Sequence, residues 1–164
     1  MTARQSFSLR PAEAADGAFL REIFVSSRER ELAPLPPEMR EPVADQQYRL
    51  HRNGLQSEYP DARQLIVLGP HPETGKTVEP VGMVILAERP GVLWVVDMAL
   101  HPACRDMGFG TALLEHLMEE CRRSGRIMKG SVTPYNPARR LYARLGISEL
   151  DAIHGYIPLE WRPE

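Results

Sequence analysis

Arg105-Asp106-Met107-Gly108-Phe109-Gly110-Thr111 stands between an apolar run and an amphipathic one, and that succession decides the fold. Upstream, Leu93 to Leu100 reads as a buried strand: Leu93, Trp94, Val95, Val96 and Met98 are apolar and of the types that pleated sheets favour. Downstream, Thr111 to Ser124 carries Leu113, Leu114, Leu117, Met118 and Cys121 at helical spacing. A strand, a glycine-rich turn and a helix in that order build an anion site. Gly108 and Gly110 leave room, the loop amides point outward, and the helix N-terminus adds partial positive charge. Arg105 supplies a full charge beside it. The pattern predicts a ligand bearing phosphates.

Working outward, Ser6 to Arg10 is expected as a first strand, and Asp16 as the N-cap of a helix with Phe19, Leu20, Ile23 and Phe24 on one face. Leu32 to Glu41 holds three prolines and reads as a loop, followed by a helix over Val43 to Ser57. Gln64 to Leu68 and Val81 to Ala87 flank the loop Gly69 to Pro80 as an antiparallel hairpin, and Leu93 to Leu100 follows through Arg89-Pro90-Gly91. Beyond the Thr111 helix, Ile127 to Thr133 returns as a parallel strand through a right-handed crossover. Ala138, Leu141, Tyr142 and Leu145 mark a short helix ended by Gly146, and a last strand lies within His154 to Leu159. The expected class is α/β of the α+β type. Its central sheet is mixed and mostly antiparallel, with six to seven strands, one parallel βαβ step and helices on both faces.

Composition excludes several classes. A chain of 164 residues reads as a single domain, 1–164, and a net charge of -2 gives no field suited to nucleic acid or an anionic membrane. The longest apolar runs are too short to cross a bilayer. Met-Thr-Ala-Arg-Gln-Ser is not a hydrophobic signal segment, and Cys104 and Cys121 make no disulfide framework, so a cytoplasmic location is expected.

The chain resembles the GNAT superfamily of acetyl-CoA-dependent N-acetyltransferases. That family's central motif is Arg or Gln, two residues, Gly, one residue, then Gly or Ala, which Arg105, Gly108 and Gly110 match. The later signature is an Asn-containing turn before a helix that bears Leu-Tyr and ends at Gly-Phe. It resembles Asn136 through Leu141-Tyr142 to Gly146-Ile147, with Ile in place of Phe. The resemblance implies transfer of acetyl from acetyl-CoA to a primary amine of a small molecule or peptide, by direct attack in a ternary complex. A non-catalytic acyl-CoA-binding or regulatory module on the same scaffold is the alternative. A homodimer is common among similar proteins.

The resemblance and the residues together assign candidate roles. The amides of Met107, Gly108, Phe109, Gly110 and Thr111, with Arg105, would hold the pyrophosphate, the side chains of Met107 and Phe109 mattering less than their backbone. The backbone of Met98, Ala99 and Leu100 would pair with the pantetheine arm if the parallel strands splay, one of these amides polarising the acetyl carbonyl. Tyr142 would protonate the departing thiolate, or simply fill the core. Asn136 caps the following helix and would bond the pantetheine, although many relatives have the spacing that would give Tyr135 this place. Asp97 interrupts an apolar strand, where burial would raise its pKa and suit it as a base; equally, it could face solvent. The five histidines are scattered, and no metal site is expected. Gly69 to Thr77 imitates a phosphate-binding P-loop, but its glycines are separated by five residues instead of four, and Pro70 and Pro72 lack N–H donors.

Overall fold

Val81 to Ala87 are buried on both faces, which makes their strand the centre of the molecule. A computed structural model describes residues 4–164. The strands are β1 (Ser8–Pro11), β2 (Arg63–Gly69), β3 (Glu79–Arg89), β4 (Val92–Leu100), β5 (Ile127–Val132), β6 (Ser148–Glu149) and β7 (Ile157–Trp161). They form one sheet in the order β1-β2-β3-β4-β5-β7-β6. Every neighbouring pair is antiparallel except β4 and β5. The expected mixed sheet with one parallel step is present, with seven strands.

Alternation along β3 divides the core in two. Val84 and Leu86 face α4 (Phe109–Ser124), packing with Leu113, Leu117 and Cys121. Met83 and Ile85 face α1 (Gly17–Ser27), where Ile23 closes a smaller cluster with Leu55 of α3 (Pro37–Glu58). The remaining helices, α2 (Glu29–Leu32) and α5 (Arg139–Arg144), are short.

Three local expectations are corrected. The loop expected over Leu32 to Glu41 is helical from Pro37 onward. Pro36 takes the cap position and Pro37 the first turn, where a missing N–H costs nothing. Pro42 is tolerated because it lies on an exposed face, where the carbonyl it leaves unpaired meets water. The last strand lies at Ile157–Trp161, later than expected, because Gly155 and His154 adopt positive φ and turn the chain first. Asp16 occupies the N-cap position of α1, as expected, but its side chain makes no capping bond there. It holds the 3-10 turn Ala14–Asp16 instead, accepting the Glu13 N–H at 2.7 Å and the Arg10 guanidinium at 2.7 and 2.8 Å.

These donors favour the charged form, the Arg10 bonds most, and lower the Asp16 carboxyl from 3.8 to about 2. A carboxyl depressed in the fold stabilises it above the ordinary carboxylate pKa and loses that contribution as pH falls toward the folded value. Asp16→Asn is therefore expected to cost about 1–2 kcal/mol at pH 7. In urea denaturation, the gap from wild type should close between pH 4 and pH 2, about the interval separating the two pKa values.

Candidate functional site

β4 and β5 are paired only where they begin: Val92, Leu93 and Trp94 stand opposite Ile127, Met128 and Lys129. Beyond Trp94 the strands part, and β5 pairs onward with β7 alone. A narrow wedge lies between Val95, Asp97 and Met98 on one side and Gly130 to Val132 on the other, with Asn136 and Tyr142 at its mouth. Val95 to Leu100 are consequently only half-buried in the middle of the sheet. The wedge opens into a crevice of about 2590 Å³.

A bulge marks the parting. Asp97 pairs with Ile85 but Val95 pairs with Leu86, so Val96 is the extra residue that bends β4. The His101 N–H donates to Val81 of β3 at 2.8 Å. Backbone alternation then turns the Leu100 and Met98 amides to the open edge. Met98 N–H already donates to Oδ1 of Asp97 at 2.9 Å.

The open edge leads to the glycine loop. α4 starts at Phe109, two residues before the expected Thr111, and its first closing bond runs from Ala112 N–H to Gly108 C=O at 3.0 Å. The amides from Gly108 to Thr111 precede that bond and have no helical acceptor. Gly108 takes φ +91°, in the left-handed region that side chains resist, and Asp106 beside it has φ +60°. Gly110 has another reason: a Cβ there would lie 3.3 Å from Leu141 Cδ2. The expectation for Phe109 is corrected. Its ring is fully buried and presses on Gly69 of β2, where an added Cβ would come within 2.6 Å of Cε1, so this side chain seats the loop. Arg105 is exposed and donates to Ser26 Oγ at 3.4 Å.

Tyr142, on α5, packs against the larger core and lines both wedge and crevice. Burial, and secondarily the charge of Asp97, raise its phenol pKa. Asn136 accepts the Ala138 N–H at 2.9 Å across Pro137, which closes the turn leading into α5; the cap position itself falls two residues later, at Ala138, so the expected N-cap at Asn136 is corrected. Tyr135 is 69% exposed, with Arg30 over its ring. Asp97 is not the buried carboxylate expected: its side chain is 32% exposed because the wedge reaches it, and Oδ2 lies 3.3 Å from Nε2 of His51. His51 was missed from sequence. The signal available was its spacing on α3, where Tyr48, His51 and Leu55 follow at three and seven residues and share one face.

His71, His101 and Cys104, remote in sequence, offer ligand atoms within 4.8 Å of one another. Nδ1 of His71 accepts the Glu73 N–H, and Nδ1 of His101 accepts the Ala103 N–H, both at 3.2 Å. Each neutral ring therefore carries its proton on Nε2, and His101 directs that proton to Glu22 Oε1 at 3.0 Å. A metal needs those nitrogens bare, so the cluster is poorly built to hold one. The imitation P-loop is a hairpin loop between β2 and β3, closed by His71 N–H to Lys76 C=O at 2.9 Å. Among the arginines of this end of the molecule, Arg126 pairs with Glu88 and Glu120, and Arg139 with Glu149. Arg140 and Arg144 line the crevice.

Residues 17–147 match the model of the acetyltransferase (GNAT) family. No curated protein matches the chain. Among solved structures, PaiA N-acetyltransferase from Thermoplasma acidophilum, in complex with coenzyme A, aligns with TM-score 0.68 at 17% identity, over 96% of this chain and 99% of that one. A histone acetyltransferase HPA2 and related acetyltransferase from Corynebacterium glutamicum aligns with TM-score 0.68 at 18% identity, over 97% of each chain. Arabidopsis thaliana NAA60, in complex with a bisubstrate analogue, aligns with TM-score 0.59 at 17% identity, over 96% of this chain and 98% of that one. Identities this low establish the fold.

The two kinds of glycine can be told apart by denaturation. Gly108→Ala is expected to destabilise by about 1–2 kcal/mol through its positive φ. Gly54→Ala, in open space within α3, is expected to stabilise by about 0.5–1 kcal/mol. Phe109→Ala should cost about 3–5 kcal/mol, the range for emptying a buried aromatic site.

Proposed function

This chain belongs to the acetyltransferase (GNAT) family, and we propose from that premise that it moves acetyl from acetyl-CoA directly onto a primary amine of a small molecule or peptide. Acetyl-CoA brings a diphosphate, an amide-bearing arm and an activated thioester. The observation that carries the reading is an open β4 edge leading to a helix N-terminus whose amides lack acceptors. Arg105 and the amides of Met107, Gly108, Phe109, Gly110 and Thr111 suit the diphosphate. The edge formed by Met98, Ala99 and Leu100 suits the arm, with Asn136 across the wedge. A wedge-facing amide of this edge polarises the acyl carbonyl as the amine attacks; Leu100 N–H faces the right way, whereas Met98 N–H is already held by Oδ1 of Asp97.

Tyr142 is the acid. Its burial keeps the phenol protonated at neutral pH, so a proton is ready for the departing thiolate. Asp97 draws the acceptor's proton away on the opposite side, either itself or through a neighbour. Direct transfer is favoured because Cys104 and Cys121 are fully buried, with burial pushing both thiols up, which disfavours a thiolate nucleophile. Two free thiols also accord with the reducing cytoplasm.

Calorimetry with coenzyme A and thiol release from acetyl-CoA and longer acyl-CoA donors, against a panel of primary amines, test this function. Coenzyme A uptake without thiol release for any amine would overturn transfer. Tyr142→Phe should lower turnover at least about tenfold while leaving coenzyme A affinity and melting temperature nearly unchanged. Unaltered turnover would remove Tyr142 from the acid role.

A further inference from the structure

The carboxylate at the bulge has two partners that divide its oxygens. Oδ1 holds the Met98 amide on β4 at 2.9 Å, and Oδ2 faces Nε2 of His51 on α3 at 3.3 Å. An anion at Nε2 draws the ring proton there and leaves the Nδ1 lone pair free. The ring is held from a second side by Phe24 of α1, its centroid 4.9 Å away. His51 lies on the crevice wall with its side chain 27% exposed, so it is oriented yet reachable. Other titratable or charged groups that line the same crevice are Tyr48, tilted against Phe24, Arg52 over the Tyr48 ring, Arg28 over Phe24, and Tyr142 of α5.

We propose that His51 is the group that takes the proton from the attacking amine, with Asp97 as its positioning residue; this rests on the acetyl-transfer reading above. The amine nitrogen forms its bond to the acyl carbon while the carbon–sulfur bond breaks. Before the attack, Nδ1 of His51 takes one proton from the ammonium and frees its lone pair; the electron pair leaving with sulfur takes the proton of Tyr142, and the second nitrogen proton, shed as the amide forms, passes to water. His51 then returns its proton to water, and Tyr142 recovers one. Asp97, with Oδ2 beside Nε2, favours the proton there and offsets the charge of the imidazolium.

The test follows thiol release from acetyl-CoA with 2-phenylethylamine, spermidine and lysine methyl ester as probes, in wild type, His51→Gln, His51→Ala and Asp97→Asn. Hydroxylamine, already unprotonated near neutral pH, is the control nucleophile. His51→Gln should lose about 100-fold in kcat/KM at pH 7 with the basic amines. The loss should shrink as pH rises toward the amine's own pKa, and should be small with hydroxylamine. Added imidazole should restore part of the activity of His51→Ala. Asp97→Asn should fall in between, and coenzyme A affinity should stay within about twofold throughout. An equal loss at every pH and with hydroxylamine would make His51 structural and overturn the proposal, as would an unchanged profile. If wild type binds coenzyme A but releases no thiol with any amine, the transfer reading fails instead. Nitrogen-15 NMR then still decides the pair: Nε2–H on His51 at neutral pH supports it, and an Nδ1–H ring overturns it.

Discussion

Everything at the site depends on a parallel strand pair that stops pairing after three residues. A central strand normally satisfies both edges, and an unpaired row of amides in a sheet interior is costly. Here β5 leaves for β7, and the extra residue Val96 bends β4 where the two part. The parting exposes backbone in the middle of the fold and lets the crevice reach from one helical layer to the other. A fully paired β4 would have left Asp97, Tyr142 and the glycine loop on separate surfaces.

The rest of the architecture keeps that edge aligned with the loop. Phe109 is the joint: its backbone begins α4, and its ring is pressed against β2 on the far side of the sheet centre. Gly108 supplies the left-handed turn and Gly110 the clearance for Leu141 of α5. The two glycines, read alike in sequence as room for a ligand, answer two different needs.

Much of this was legible because the elements with strong periodicity are also the ones that set the topology. The apolar run of β3 and the helical spacing of α4 identified the hairpin and the crossover. Failures came where polar contacts override pattern. Asp16 looks like a helix cap but its side chain is claimed by Arg10, and α3 begins nearly two turns early because proline suits a helix start. β6 has two exposed residues and no alternation to detect. The encounter of His51 with Asp97 joins residues 46 positions apart. No local signal reports such a pairing; only the tertiary fold creates it.

α3 has a further consequence for motion. Over 22 residues it fully buries only Ala44, and part of its hold is ionic, from Arg21 to Glu41 and Asp45 at the rim. Helices so thinly seated open at low free energy, while α4, with eight buried residues, opens only near global unfolding. One wall of the crevice can therefore breathe while the opposite wall stays shut, and amide hydrogens along α3 should exchange with solvent well ahead of those in α4.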